Sequence, residues 1–125
     1  MNQDGVNHSA VDESTIGETP LVELDVAVAP TVLAKVEWFN LYDAAYGGGS
    51  VKSRIAKGML DAAEASGELA GGMTVIEPSS GNTGSEVARL AGHRGYPVEI
   101  VMPDNASGGK INAIRTAGGP IHFVD

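Results

Sequence analysis

The second half of the chain alternates apolar runs with helical patterns at a spacing that leaves few folds open. Met73-Thr74-Val75-Ile76 is an apolar run whose end reads as a short strand. A helical pattern over 83–94 follows and stops at Gly95. Residues 98–102 read as a strand, 103–109 as a turn, 110–117 as a helix and 121–124 as another strand. Gly95 and Gly118-Gly119 sit where helices end, as residues tolerant of a left-handed backbone do. Strand–helix–strand–helix–strand at this spacing predicts an α/β fold built on a parallel, three-layer sheet. Right-handed crossovers are its topological default.

Upstream, residues 1–14 are polar and acidic and read as a disordered N-terminal tail, leaving 15–125 as one domain. Residues 21–24 and 32–39 read as strands, the second with Val32, Ala34, Val36 and Trp38 alternating. Residues 40–49 form a loop that holds Tyr42 and Tyr46. Ser50 is a candidate N-cap for a helix running to about residue 66, where Gly67 stops it. Val51, Ile55, Met59, Leu60 and Ala63 supply that helix with apolar positions at helical spacing. Trp38, Phe39, Tyr42 and Tyr46 read as packing residues, and Asp43, Asp61 and Glu64 as solvated charges.

Composition removes several classes of function. At 125 residues with 42% apolar content the chain can build one real core. Sixteen acids against eight Lys plus Arg give a formal charge of −8. Such a chain has no basic stripe for a phosphate backbone or an anionic membrane. It contains no cysteine, which excludes disulfides and thiolate metal sites. His8, His93 and His122 lack metal-ligand spacing, so no metal site is expected. No apolar stretch reaches the ~18 residues of a membrane span. The start has neither a basic region nor an apolar core of a secretory signal, which points to the cytoplasm.

Two glycine-rich motifs carry the chemistry. Gly47-Gly48-Gly49-Ser50-Val51-Lys52-Ser53-Arg54 places an amine at the start of a helical pattern. It is not a phosphate loop, because Val51 separates the glycines from the lysine. The dipole at a helix start opposes a cation there and favours the neutral amine that Schiff-base chemistry needs. Ser79-Ser80-Gly81-Asn82-Thr83-Gly84 joins a strand to the next helix. It offers hydroxyls, an amide and helix-start N–H groups, the makings of an anion site. Its place after a parallel strand is where ligands bind in open α/β sheets. Together the motifs suit a carbonyl-bearing, anionic cofactor and a substrate carboxylate.

Five strings, in order, resemble one family. They are Ile16-Gly17-Glu18-Thr19-Pro20-Leu21-Val22, Lys35-Val36-Glu37-Trp38-Phe39-Asn40, Gly48 through Ala56, Glu77-Pro78-Ser79 through Gly84, and Gly95-Tyr96 through Val101-Met102-Pro103. On these the chain is similar to the cysteine synthase and cystathionine β-synthase branch of fold type II pyridoxal phosphate enzymes. The resemblance covers nearly everything from residue 16 onward. It implies a tryptophan synthase β-like fold, of which residues 15–125 would be the N-terminal portion.

The resemblance also implies roles. Lys52 would form the Schiff base with pyridoxal 5'-phosphate and later shuttle the Cα proton. Asn82 would bond the cofactor's ring hydroxyl oxygen. Ser79, Ser80, Gly81 and Thr83 would hold the carboxylate of a small amino-acid substrate. The reaction implied is β-replacement on a serine derivative such as O-acetylserine, with sulfide giving cysteine, in a homo-oligomer. Two alternatives stand beside it: a non-catalytic fragment that binds anions or a partner chain, and a related lyase or dehydratase. The chain departs from the family pattern in having Ser53 where Asp usually follows the lysine. It also has a longer lead-in, 40–49, before the lysine motif. The family's phosphate-binding loop lies further along than these residues.

Overall fold

The computed structural model describes residues 11–26, 30–42 and 47–125. Three strands form the parallel sheet: β3 (Val75–Pro78), β4 (Val98–Pro103) and β5 (Ile121–Val124), in that spatial order. Val75 pairs with Val98, and Ile100 with Ile121. The crossovers are helices α2 (Asn82–His93) and α3 (Gly108–Thr116). Ahead of them come α1 (Lys52–Ser66) and a separate antiparallel pair, β1 (Leu21–Glu23) with β2 (Leu33–Lys35). The strand–helix alternation in the sequence thus yields the expected parallel α/β sheet.

β4 is the central strand and buries Val98, Ile100 and Met102 on alternate positions. α2 packs against β3 and β4 and brings Val87, Ala88, Leu90 and Ala91 into the same core. Ile114 of α3 completes it. Each fully buried aliphatic side chain of this kind contributes about 1.5–3 kcal/mol, so the core is concentrated where α2 crosses the sheet.

α1 differs from its sequence pattern. The residues it buries are Ser53, Ala56 and Leu60, whereas Val51, Ile55 and Met59 lie exposed. The physical reason is its neighbour: α1 packs on α2, and small side chains at 53 and 56 let the two backbones approach. The large apolar residues form a second stripe, turned away from that contact. Gly67 ends the helix in the left-handed conformation, φ +78°, as expected of a glycine stop.

The run 32–39 is shorter as a strand than its alternation suggests. After Lys35 the chain turns through a single 3-10 turn, Glu37–Phe39. Asn40 fixes the turn by donating its side-chain amide to the Glu37 carbonyl at 2.9 Å and to Glu37 Oε2 at 2.7 Å. Trp38, Phe39 and Tyr42 consequently pack on one another near the surface, with ring centroids 5.3–6.1 Å apart, and not in the core. Tyr46 and Asp43 lie outside the described residues, as do His8 and most of the expected tail. The last part of that tail is anchored. Val11 is buried, and Glu13 accepts from Arg94 at 2.8 Å. Asp61 and Glu64 also meet Arg94, at 2.6 and 3.0 Å, so they are paired charges.

Candidate active site

The lysine-bearing turn is built by close backbone packing. A Cβ on Gly48 would lie 1.9 Å from the Trp38 carbonyl oxygen, and one on Gly49 would lie 2.5 Å from both Asn40 O and Ser53 Oγ. Only glycine fits at either position. Gly49 N–H donates to Asn40 O at 2.7 Å, which ties the turn to the Glu37–Asn40 segment. The cap position of α1 falls on Val51, one residue after the expected Ser50, whose Oγ still accepts from Lys52 N–H at 3.1 Å.

Lys52 is the first residue of α1 and is partly exposed. Among the described residues nothing holds its amine. Two of the other three lysines are engaged: Lys35 donates to the Thr19 carbonyl, and Lys57 pairs with Asp61 at 2.5 Å. The Lys52 amine is therefore available for chemistry in a way that those two are not.

Behind the turn lies a buried polar cluster. Glu86, on α2, is 4% exposed, and Ser53 is fully buried. Ser53 Oγ donates to Glu86 Oε2 at 2.8 Å, and Ser50 Oγ donates to Oε1 at 3.2 Å. Arg89 Nη1 stands 3.8 Å from the same carboxylate. Burial pushes the Glu86 carboxyl above the usual range, and these partners pull it back in part. Arg89 also donates from Nη2 to Leu41 O at 2.8 Å, and its Nε is buried without a partner. The sequence reading missed Glu86 and Arg89. The available signal was position: Glu86 lies one turn before Leu90, on the face that carries Leu90 into the core.

The second motif forms the turn from β3 into α2. Ser79 N–H donates to Val101 O at 2.9 Å, continuing the strand ladder. Ser79 Oγ accepts from Gly84 N–H at 3.0 Å and Gly81 N–H at 3.3 Å, so it holds the start of α2 from the preceding turn. A Cβ on Gly84 would press on Ser79 at 3.0 Å, which explains the glycine. The first-turn N–H groups of Asn82 and Thr83 have no intrahelical acceptor. Ser80, Gly81 and Thr83 are partly exposed, and Asn82 is exposed.

The two motifs meet. A cleft of about 290 Å³ is lined by Gly48, Gly49 and Ser50 on one side and by Asn82, Ser85 and Glu86 on the other. Ala113, Thr116 and Ala117 of the α3 region close it. Lys52, Ser79, Ser80, Gly81 and Thr83 border the two turns and are not among its lining residues.

A third network braces the lysine turn from outside. Arg54 Nε donates to Glu37 Oε2 at 2.8 Å, and its Nη2 to Glu37 Oε1 at 3.1 Å and Thr19 Oγ1 at 3.0 Å. Gly17 N–H donates to Asn40 Oδ1 at 2.8 Å. The Arg54 guanidinium beside Glu37 holds that carboxyl down at about 2. Residues from three of the five sequence strings thus form one hydrogen-bonded unit.

The donor set fits an aldehyde-bearing aromatic cofactor. There is a primary amine unengaged among the described residues, an exposed amide on the cleft, and a glycine cradle that a Cβ would fill. Comparison with known proteins agrees. The family model described as "Pyridoxal-phosphate dependent enzyme" matches residues 13–125. Cystathionine beta-synthase of Mus musculus is 41% identical over 111 residues, which cover 85% of this chain and 19% of that protein. A probable cysteine synthase of Bacillus subtilis is 41% identical over 109 residues, covering 85% of this chain and 33% of that one. The crystal structure of cysteine synthase from Entamoeba histolytica superposes with a TM-score of 0.76 at 30% identity, over 100% of this chain and 37% of its own. The chain spans between a fifth and two fifths of the length of these relatives. Its fold is that of the tryptophan synthase β-like enzymes in part, and the cofactor of its relatives is pyridoxal 5'-phosphate. The chain belongs to the pyridoxal-phosphate dependent enzyme family.

Proposed function

We propose that these residues are the N-terminal part of a cysteine synthase-like enzyme that carries out β-replacement on a serine derivative. The observation that supports this reading best is the shared cleft, where the lysine-bearing turn faces Asn82. When bound, pyridoxal phosphate supplies the electron sink for the reaction. The chain's own groups do the rest. Lys52 Nζ binds the cofactor aldehyde and then takes and returns the substrate Cα proton. The Asn82 amide holds the cofactor's ring hydroxyl. The Ser79, Ser80 and Thr83 hydroxyls, with the N–H groups of the Ser80–Thr83 turn, bind the substrate carboxylate at the positive end of α2. Ser79 keeps its hydroxyl hydrogen for this purpose, since its oxygen is what caps the helix. The same proposal includes a homo-oligomer in the cytoplasm.

A second reading applies to these 125 residues in isolation. Leu21, Leu33 and Ile76 are more than half exposed, and Ile55 and Met59 form an uncovered stripe. Apolar surface of this extent favours self-association. With only a third of a relative's length, the isolated piece is a folded, self-associating fragment without turnover.

One assay separates the two readings. The full-length protein carrying this sequence is given O-acetylserine and sulfide, and cysteine is measured beside homocysteine-dependent cystathionine formation. We expect cysteine from the full-length protein and none from residues 1–125. Thr83→Ala should raise the KM for the amino acid about tenfold, the factor for one lost hydrogen bond to a charged group. Turnover only with homocysteine would move the reading to a cystathionine synthase, and turnover of neither would defeat β-replacement.

A further inference from the structure

The Glu86–Arg89 pair on α2 is not used by the chemistry above, yet Glu86 touches the lysine-bearing turn and Arg89 holds Leu41, in the segment that leads into it. Glu86 receives the Ser50 and Ser53 hydroxyls. Those hydroxyls in turn hold main chain: Ser50 Oγ accepts from Lys52 N–H, and Ser53 Oγ accepts from Ser50 N–H at 3.2 Å. A hydroxyl that gives its hydrogen to a carboxylate must present its lone pairs to the N–H groups. The buried carboxylate therefore fixes the direction of both hydroxyls and, through them, the first turn of α1. Arg89 completes the arrangement by holding the carbonyl of Leu41. Leu41 is fully buried and is the one non-glycine with positive φ, +49°, among the described residues. That conformation persists only where its surroundings impose it.

We propose that Glu86 is a positioning residue for Lys52: it sets the lysine-bearing turn from α2, the same helix that carries Asn82, and so fixes the amine relative to the Asn82 amide. The arrangement makes the spacing of the two cofactor-facing groups depend on one helix–helix contact. Gly49 belongs to it, since its Cα sits where a Cβ would come within 3.0 Å of Glu86 Oε2. An apolar residue at 86 would fill the space without directing the hydroxyls. A buried charge is costly to keep, and the two hydroxyl hydrogen bonds and the Arg89 guanidinium offset part of that cost. The proposal rests on the reading that Lys52 binds the cofactor.

The test uses the full-length protein carrying this sequence, with Glu86→Gln and Glu86→Ser, and the exchange variant Ser53→Asp/Glu86→Ser. The last moves the carboxylate across the 2.8 Å contact between the two side chains. Two quantities are measured. One is amide hydrogen exchange at Ser50 and Lys52, which needs no cofactor. The other is the rate at which added pyridoxal phosphate becomes fixed to Lys52, read by borohydride trapping and peptide mapping. We expect the single variants to speed exchange at both amides and to slow labelling about tenfold each, the factor for losing one charge-assisted hydrogen bond. Exchange in β4 should be unchanged, and the exchange variant should recover most of both effects. Unaltered exchange at Ser50 and Lys52, or labelling within about twofold of the unsubstituted protein, overturns the positioning role. Labelling of the unsubstituted protein at a different lysine defeats the functional reading instead, and the amide exchange then decides the role of Glu86 alone. If the single variants unfold, recovery in the exchange variant still supports the contact, and its failure to recover overturns it.

Discussion

Glu37 shows how far single residues here are set by their partners. Its carboxyl falls from an ordinary 4.5 to about 2, first because Arg54 donates to it and then because Asn40 and Thr19 do. A folded value below the unfolded one means that the ionised form is what folding favours. The contribution is complete above 4.5 and disappears as the pH falls through 2. We expect Glu37→Gln to melt below the unsubstituted protein at pH 7, with the gap closing across that acid window. A gap of constant size down to the acid end would show that the ion pair is not its source. Glu86 has the opposite sign, since burial raises it and protonation favours its folded form. At this scale the glycines beside Lys52 and Asn82 were legible because close backbone packing at Gly48, Gly49 and Gly84 leaves no room for a Cβ. Glu86 was not, because a charged residue on a helix ordinarily faces water, and only the packing of α1 on α2 reveals that this one does not.

The elements divide in the same way. β4, β5, α2 and α3 keep their expected bounds to within a residue or two, and β4 and α2 each bury the face that their periodicity marks. α1 follows its length and its glycine stop but not its face. Of its apolar residues Leu60 is buried with the small Ser53 and Ala56, while Ile55 and Met59 lie exposed. Periodicity reports that two stripes exist and cannot say which is covered. Residues 32–39 fail differently: strand alternation continues through Val36, but the side chain of Asn40 captures the Glu37 carbonyl and turns the chain. Asn and Asp compete with regular structure in this way. The start of α2 offers a direct check on such side-chain control. Ser79→Ala removes the acceptor for two helix-start N–H groups. It should cost about 1 kcal/mol, the usual value of a helix cap, measured as a lower denaturation midpoint. A midpoint equal to that of the unsubstituted protein would mean that water replaces the hydroxyl without loss.

As a whole, the described residues hold a parallel three-stranded sheet whose first crossover helix, bearing Asn82 at its start, packs against the helix that begins at Lys52. The exposed strands β1 and β2 and the outer stripe of α1 present apolar surface that this sheet does not cover. Family and cofactor were legible from five short strings, two of which are glycine- and hydroxyl-rich turns at helix starts. The bracing of those turns by Arg54, Glu37 and Arg89 was not legible, since it joins residues far apart in sequence. The proposed function turns on Lys52 as the cofactor lysine. The most direct measurement loads the full-length protein with pyridoxal phosphate, reduces it with borohydride and maps the labelled peptide. We expect the label on Lys52, and its loss in Lys52→Ala without transfer to another site. Label found chiefly on Lys35, Lys57 or Lys110, or undiminished in Lys52→Ala, would rule Lys52 out as the cofactor lysine.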